Sequence, residues 1–350
     1  MRPVRAATVD VVTVGMLDPA EWRIAEIPDG PPLLVVVVDT EEEFDWARPL
    51  ARENRGATNL NAQHRAHKLF DRYGLVPTYV IDHPVATSPD GYGPLSELLA
   101  DKRCEIGAHL HPWVNPPFDE AVNNRNSYPG NLPRALEREK LTRLTDAIAE
   151  RFGFRPTVYK AGRYGVGPAT TDTLDALGYR IDASVVPMTD FTPEDGPDFS
   201  ACDARPYWFG PGGRMLEVPL SVTYVGALSA QAARLYPTLA GSFGRRLHVP
   251  GMLARLGILE RLKLTPEGAD HAEHRALTET MRARGHRVFS FTYHSPSLAP
   301  GNTPYVRDEA GLNRFLDTFE RYFDYFFGTL GGRATTLTAL YAMLAPPKPQ

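Results

Sequence analysis

The sequence predicts an α/β fold in which the strands and helices alternate around a β/α barrel. Two observations support this prediction: short apolar strand patterns alternate with longer helical patterns, and the predicted strands tend to end on polar residues. In β/α barrels, the loops at the carboxyl ends of the strands build the active site. We therefore expect a chemically active site at one rim of the barrel.

The first strand pattern, at 33–38, is the clearest element of the chain. Six apolar residues, four of them valine, follow two prolines and predict a strand that is buried on both faces. The strand ends at Asp39, and three consecutive glutamates begin at Glu41. Because side chains alternate along a strand, Asp39 and Glu41 would share a face and converge on one cavity. A solvated acidic turn is the alternative interpretation.

The next elements alternate in type. A helical pattern at 57–73 stops at Gly74, a natural helix terminator, and a strand pattern at 76–81 then ends at Asp82.

The middle of the chain continues this alternation. A helix around 95–100 precedes a strand at 105–109, and a long amphipathic helix at 132–152 precedes a strand at 157–159. The helix predicted at 168–178 begins with a proline in its first turn and ends at a glycine.

The last part of the chain completes the predicted barrel. Its elements are strands at 179–182 and 216–220, a helix at 265–284, a strand at 287–293, an aromatic-rich helix at 315–327 and a strand at 334–337.

Polar residues recur at the carboxyl ends of the predicted strands. They are Asp39, Glu41, Asp82, His109, Arg163, Asp182 and His294. Polar residues without a chemical role would show no preference for one rim, so this pattern favours a functional site there.

The domain organisation follows from these patterns. We expect an N-terminal extension at 1–30, the barrel at 31–343 and a disordered, proline-rich tail at 344–350. Residues 187–213, which are rich in Pro, Gly and Asp, are expected to form a loop insertion that covers one rim and shapes substrate access.

Composition excludes several classes of protein. The chain has 350 residues, of which 43% are hydrophobic, which is enough to bury a barrel-sized core. A net charge of −4 without a basic run argues against nucleic-acid binding. No apolar run approaches the ~20 residues of a membrane span. Acids interrupt the N-terminal segment, so we expect no signal peptide and a cytoplasmic protein. The two cysteines could form at most one disulfide.

The segment His109-Leu110-His111-Pro112-Trp113 is the best candidate for a metal site. Two histidines at i and i+2 on an extended segment point the same way, so both imidazoles can reach one ion. With Glu41 they would give zinc three protein ligands and leave one position open. Hydrogen-bonded loop histidines are the alternative interpretation. Two other histidine pairs, His64 with His67 and His271 with His274, are expected to lie on solvated helix faces.

The order of these motifs resembles that of the polysaccharide deacetylase (NodB-homology) family over most of residues 30–340. The resemblance implies a distorted (β/α) barrel of seven or eight strands. It also implies that Asp39 is the general base and that Glu41 and His109 are metal ligands. The family's second histidine lies four residues after the first, where this chain has Trp113, so His111 would replace it.

Later motifs extend the resemblance. Arg163 resembles the arginine that holds the catalytic base, although the family's following Pro-Tyr is missing, which leaves the oxyanion-binding amide unassigned. Asp182 resembles the residue that orients the general acid, and His294 resembles that acid. The acidic motif together with His-Leu-His-Pro-Trp looks most like the divergent WalW-like subgroup.

The resemblance implies a metal-dependent hydrolase, with Zn²⁺ as the expected ion, that removes an acetyl group from an N- or O-acetylated sugar or glycoconjugate in surface-polysaccharide metabolism. Trp46, Trp113 and Tyr164 could stack on a sugar ring, and core packing is an equally good explanation. The alternatives are a hydrolase of a non-sugar linear or cyclic amide and a saccharide- or metal-binding barrel without turnover. A slip of one residue after the first strand would give the metal to Glu42, and Glu43 also stays open as a ligand.

Overall fold

Strand β2, Leu33–Thr40, is fully buried, as its apolar pattern predicts, and has a neighbouring strand along each edge. All eight of its residues are buried in the computed structural model, which describes residues 15–18, 22–232 and 249–346. Along one edge β2 pairs in parallel with β11, Val288–His294. Along the other edge it pairs in parallel with β3, Thr78–Ile81, and β12, Arg333–Ala334. Alternate residues of the strand pack into two different hydrophobic clusters, so both of its faces are covered, which explains its continuous run of apolar residues.

The described strands form one curled sheet of ten strands and one separate antiparallel pair. The remaining strands of the sheet are β1 (Arg23–Ile24), β4 (Glu105–Leu110), β5 (Val158–Ala161), β6 (Ile181–Asp182), β7 (Tyr207–Phe209) and β8 (Met215–Glu217). Their order is β1-β7-β8-β6-β5-β4-β3-β2-β11, with β12 also on β2. The separate pair joins β9, Val222–Val225, with β10, Glu260–Lys263, in antiparallel fashion.

Helices connect the parallel strands. The described α-helices are α1 (His64–Tyr73), α2 (His83–Thr87), α3 (Pro89–Ala100), α4 (Arg134–Phe152), α5 (Thr170–Leu177), α6 (Val249–Arg255), α7 (His271–Ala283), α8 (Glu309–Phe323) and α9 (Leu337–Leu344). Helices α1, α4 and α5 end at glycines in the left-handed conformation, Gly74, Gly153 and Gly178. Glycine adopts this conformation without steric cost, so these helices end where the sequence predicts.

The predicted fold class is confirmed: the fold is α/β with a curled half-barrel sheet of the NodB-type distorted barrel. Three local predictions differ from the structure. Leu337 begins α9 instead of ending a strand, because the Thr336 hydroxyl accepts from the Ala339 amide and caps a helix there. His67 and His274 are buried and bonded to Tyr79 and to the Thr265 carbonyl, so their interpretation as solvated is wrong.

The expected extension and the expected loop meet at one edge of the sheet. Arg23 pairs with Trp208 and Ile24 with Tyr207, so β1 of the extension and β7 of the 187–213 segment are antiparallel neighbours. The tail expected at 344–350 begins at the last residue of α9, and residues 347–350 lie outside the described part of the chain.

Two further sequence expectations concern membranes and cysteines. None of the described helices is long and apolar enough to cross a membrane. Both cysteines, Cys104 and Cys202, are buried and free.

Candidate active site

The parallel strands β2, β4, β5 and β11 deliver their carboxyl ends to one rim of the sheet. Asp39 is in register with His294 on β11, and His109 on β4 is in register with Lys160 on β5. A cavity of about 730 Å³ opens at this rim, and Asp39, Glu41 and His294 are among the side chains that line it. The register of the strands therefore brings Asp39, His109 and His294 to one rim.

Glu41, His109 and His111 form a buried group that could hold a metal ion. Their potential ligand atoms all lie within 4.8 Å of one another, and His111 Nε2 is 3.6 Å from Glu41 Oε2. Among the described residues, Glu41 Oε1 has no hydrogen-bond partner. Burial, reinforced by nearby carboxylates, holds the pKa of Glu41 well above its usual value. A divalent cation would satisfy this unpaired oxygen, so the three residues fit a zinc ion.

The other nitrogen of each imidazole is already engaged. His109 Nδ1 donates to the Lys160 carbonyl oxygen at 2.8 Å, and His111 Nδ1 contacts Glu42 Oε2 at 2.7 Å. Burial lowers the pKa of His109 to about 3 and that of His111 to about 4, so both rings are neutral near pH 7. With both Nδ1 atoms engaged, each Nε2 presents its lone pair to the proposed metal position.

Glu42 is held away from the proposed ion. Its Oε2 contacts His111 Nδ1, and its Oε1 accepts from Trp113 Nε1 at 2.7 Å. Asp82 fixes the backbone here, because its Oδ2 accepts from the Glu42 amide. Glu42, Asp82 and His111 are close enough to form a second potential ligand group, but the two Glu42 oxygens are already used. Glu43 turns elsewhere and accepts from Thr58 and Asn59.

Lys160, and not Arg163, contacts the expected base Asp39. Lys160 Nζ donates to Asp39 Oδ1 at 2.5 Å, and both side chains are buried. Burial alone would raise the pKa of Asp39, but Lys160 and the neighbouring imidazoles lower it to about 2. Asp39 is therefore a carboxylate at neutral pH.

Arg163 lies at the rim instead. It donates to Asn124 and Ser127 and stacks over the Tyr128 ring at 4.3 Å. The backbone turns sharply after β5, where Arg163 and Tyr164 both have positive φ, 52° and 60°. This turn directs the Arg163 side chain to the rim and not to Asp39. Lys160 lies within β5, and its polar side chain in a buried strand was the sequence signal for this contact.

Glu267, and not Asp182, holds the imidazole of His294. Glu267 Oε2 is 2.7 Å from His294 Nδ1, and Glu267 Oε1 accepts from the His294 amide and the Ser297 hydroxyl. His294 Nε2 lies 3.7 Å from Asp39 Oδ2. Burial would raise the pKa of Glu267, but His294 and these hydrogen bonds lower it.

Asp182 lies on β6, which four strands of the sheet separate from β11 and His294. It accepts from the amide and the hydroxyl of Ser184, and β6, which carries it, pairs with β5 and β8. The expected contact between Asp182 and His294 is therefore not made. The sequence signal that we missed was the Thr-Pro-Glu motif ahead of α7, in which Glu267 is the acid.

The three expected substrate-binding aromatics all line the cavity. Trp46 lies edge-on to His294, with 5.1 Å between the ring centroids, and also contacts Tyr305. Tyr164 lies within hydrogen-bond range of Lys263, at 3.4 Å. Trp113 stacks on His111 at 4.2 Å, and its indole N–H is used by Glu42. Trp46 and Tyr164 are thus freer than Trp113 to contact a ligand.

A buried lysine fixes the loop that follows His111. Lys140 Nζ donates to the carbonyl oxygens of Pro112, Asn115 and Pro117. Gly162 closes against the same histidine, because a Cβ at this position would overlap His111 Cδ2 and the Leu110 carbonyl oxygen. These contacts set the position of the His111 ring.

Comparisons with known proteins support the fold. No family model matches the sequence, and no curated protein matches it. A crystal structure of a Mycobacterium smegmatis protein, provisionally assigned as a polysaccharide deacetylase, is similar with a TM-score of 0.53 and 17% identity over 94% of both chains. The structure of PuuE allantoinase is similar with a TM-score of 0.52 and 15% identity over 91% of both chains. At these identities the similarity shows a shared fold.

Proposed function

We propose that this chain is a metal-dependent hydrolase that removes an acetyl group from an N-acetylated sugar by cleaving the amide carbon–nitrogen bond. O-acetylated sugars, in which the ester carbon–oxygen bond would be cleaved, are the second substrate type. The observation that carries the proposal is the buried Glu41 carboxylate, whose unpaired oxygen lies beside the His109 and His111 imidazoles. Asp39, the candidate general base, and a third histidine, His294, lie at the same rim. This combination is suited to metal-assisted hydrolysis.

Glu41, His109 and His111 would hold the metal, and we expect Zn²⁺ because zinc accepts nitrogen and carboxylate ligands. Bound zinc would supply Lewis acidity, which makes water more acidic and polarises the acetyl carbonyl. Glu42 would orient His111, since it accepts the proton on the opposite ring nitrogen.

Asp39 would act as the general base and take a proton from the attacking water. Lys160 would hold the carboxylate in place and keep it ionised, which is the part that the family resemblance assigns to Arg163. Arg163, with its contacts to Asn124 and Ser127, would instead shape the entrance of the cavity.

His294 would act as the general acid and protonate the departing amine from Nε2. Glu267 would hold Nδ1–H and thereby fix the ring. Because the base must be deprotonated and the acid protonated at one pH, the rate should follow a bell-shaped pH profile. A flat profile on both limbs would count against this pair.

The first experiment measures acetate release from N-acetylglucosamine oligomers by the purified protein, before and after chelation and zinc addition. We expect activity that depends on zinc. Asp39→Asn should retain bound zinc and lose at least about a hundredfold in kcat, whereas the exposed control Asp101→Asn should match the wild type. A protein that binds no divalent metal would sink the proposal.

A second experiment assigns the ligands by measuring zinc stoichiometry and affinity. Glu41→Gln should abolish stoichiometric binding because it removes a ligand. Glu42→Gln should weaken the affinity by about 10- to 100-fold, since it removes only an orienting partner of His111. The reverse order of effects would move the ligand role to Glu42.

The same assays test two alternative functions. PuuE allantoinase shares the fold, so linear and cyclic amides such as allantoin belong in the substrate panel. A barrel that only binds saccharide or metal would bind zinc and sugar but release no product from any substrate in the panel.

The finer assignments are part of the proposal. They are membership of the WalW-like subgroup, a role in surface-polysaccharide metabolism and a cytoplasmic location. Cell fractionation tests the location, and recovery outside the cytoplasm would contradict it.

A further inference from the structure

Lys263 presents a charged group to the cavity from outside the catalytic cluster. It is the last residue of β10, where alternation along the strand puts Arg261 and Lys263 on one face and the buried Leu262 on the other. Arg261 donates to the Thr189 hydroxyl, whereas Lys263 reaches the cavity.

The Lys263 ammonium group lacks an anionic partner. Its nearest polar contact is the Tyr164 hydroxyl at 3.4 Å, and within the described chain no carboxylate oxygen lies within 4.0 Å. Residues 218–259, which precede β10, include no Asp or Glu that could neutralise it. The positive charge of Lys263 is therefore available to a ligand in the cavity.

The other two cations of the cavity wall are paired. Arg163 lies 3.7 Å from Glu194, and Arg48 lies 3.1 Å from Asp45. Lys160, deeper in the site, is engaged by Asp39. Lys263 is thus distinct among the cations around the described cavity.

Lys263 lies one tyrosine ring away from the lysine that contacts the candidate base. The centroid of the Tyr164 ring is 5.3 Å from Lys160 Nζ, which contacts the base, and 5.6 Å from Lys263 Nζ. One tyrosine ring therefore links the base to the free ammonium group, a separation that a substituted sugar can bridge.

We propose that Lys263 binds an anionic substituent of the substrate, so that the acetylated sugar carries a carboxylate or a phosphate near the acetylated ring. This inference rests on the proposed function. A lysine ammonium group binds either oxyanion as a point charge.

The test compares kcat/KM for three probes: N-acetylglucosamine, N-acetylmuramic acid, which carries a carboxylate, and N-acetylglucosamine 1-phosphate. The wild type should prefer at least one anionic probe by about tenfold or more, the usual effect of a hydrogen bond to a charged group. Raising the salt concentration should reduce that preference.

Variants assign the preference to Lys263. Lys263→Met should reduce the anionic-to-neutral ratio of kcat/KM by about tenfold, mainly through KM, and Lys263→Arg should keep most of it. The matched control is Lys68→Met, which removes an exposed lysine from α1 and should leave the ratio unchanged. The anionic probe with the larger loss identifies the carboxylate or the phosphate as the recognised group.

The possible failures are distinguishable. If N-acetylglucosamine is deacetylated but Lys263→Met leaves the ratio unchanged, the anion site is wrong and the proposed function stands. If no probe is deacetylated, the proposed function fails, and calorimetry then measures binding of the two anionic probes. Binding that is about tenfold weaker in Lys263→Met supports the anion site, and equal or undetectable binding overturns it.

Discussion

His294 Nδ1 lies 2.7 Å from Glu267 Oε2, so a carboxylate from the turn before α7 holds the imidazole at the end of β11. Glu267→Gln replaces the carboxylate that contacts His294 Nδ1 with a neutral amide. We expect kcat to fall by about a hundredfold, with a smaller change in KM. The ring nitrogen shifts of His294, measured by NMR, should report a change of tautomer or protonation.

Asp182→Asn separates the two candidates for this role. Asp182 contacts Ser184, so its substitution should leave the NMR signals of the His294 ring in place. The exposed control Glu97→Gln should do the same. A change in the His294 ring with Asp182→Asn that equals the change with Glu267→Gln would contradict this assignment.

The buried Lys160–Asp39 pair should be a large contributor to stability. Lys160→Met leaves the Asp39 carboxylate buried without its ammonium partner, and breaking a buried pair in this way costs about 3–5 kcal/mol. Urea denaturation measures the loss of unfolding free energy.

The double variant Lys160→Met/Asp39→Asn is the control for the pair. It should be more stable than Lys160→Met alone, because no unpaired charge is left. If the two substitutions destabilise the protein additively, Lys160 and Asp39 are not coupled.

Gly162→Ala should weaken metal binding without removing a ligand. The new Cβ would overlap His111 Cδ2 and the Leu110 carbonyl oxygen, so the end of β4 and the His111 ring must shift from their position beside Glu41. We expect the zinc affinity to fall by about 10- to 100-fold, as for changes in groups that orient a ligand. Competition with a chromophoric chelator measures it.

Gly93→Ala is the matched control, because a Cβ at this position in α3 meets no atom within 4 Å. It should leave the zinc affinity at the wild-type value. Equal affinities for Gly162→Ala and Gly93→Ala would show that the His111 ring tolerates the displacement.

Glu137 should make stability depend on pH near neutrality. Burial raises its pKa from 4.5 to about 7, although the Thr170 hydroxyl donates to it. The neutral form is thus favoured in the folded state, and its stabilisation is complete below pH 4.5 and is lost as the pH rises through 7. The difference amounts to about 3 kcal/mol.

Glu137→Gln should remove this dependence. Relative to the variant, the unfolding free energy of the wild type should fall between pH 4.5 and pH 7 and level off above that range. The exposed control Glu150→Gln, on the same helix, should keep the wild-type pH dependence. Denaturation curves at a series of pH values test this, and parallel profiles for Glu137→Gln and the wild type would contradict it.

The sequence predicts the parts of the site that depend on local alternation. Asp39 lies in β2 and Glu41 directly follows it, and His109 lies in β4 and His111 directly follows it, so period-two geometry is enough to expect that they converge. Lys160 and Glu267 depend on contacts between elements far apart in the chain: Lys160 reaches Asp39 across the sheet, and Glu267 reaches His294 from the turn before α7.

The same distinction holds for the fold. The core strand 33–38 and the glycine-terminated helices have strong local signals. The pairing of β1 with β7 has no local sequence signal, because these two short strands lie far apart in the chain and meet only in the folded sheet. The sequence pattern also did not predict the antiparallel pairing of β9 with β10, since a long segment separates the two strands.

The contacts around His111 have a consequence for how the protein would acquire its ion. Lys140 clamps the loop after His111, and the Nδ1 atoms of His109 and His111 are held by protein groups. The chain can therefore fold first and load metal afterwards, in contrast to domains whose folding requires zinc. A chelator would then empty the site while leaving a folded protein ready for reloading.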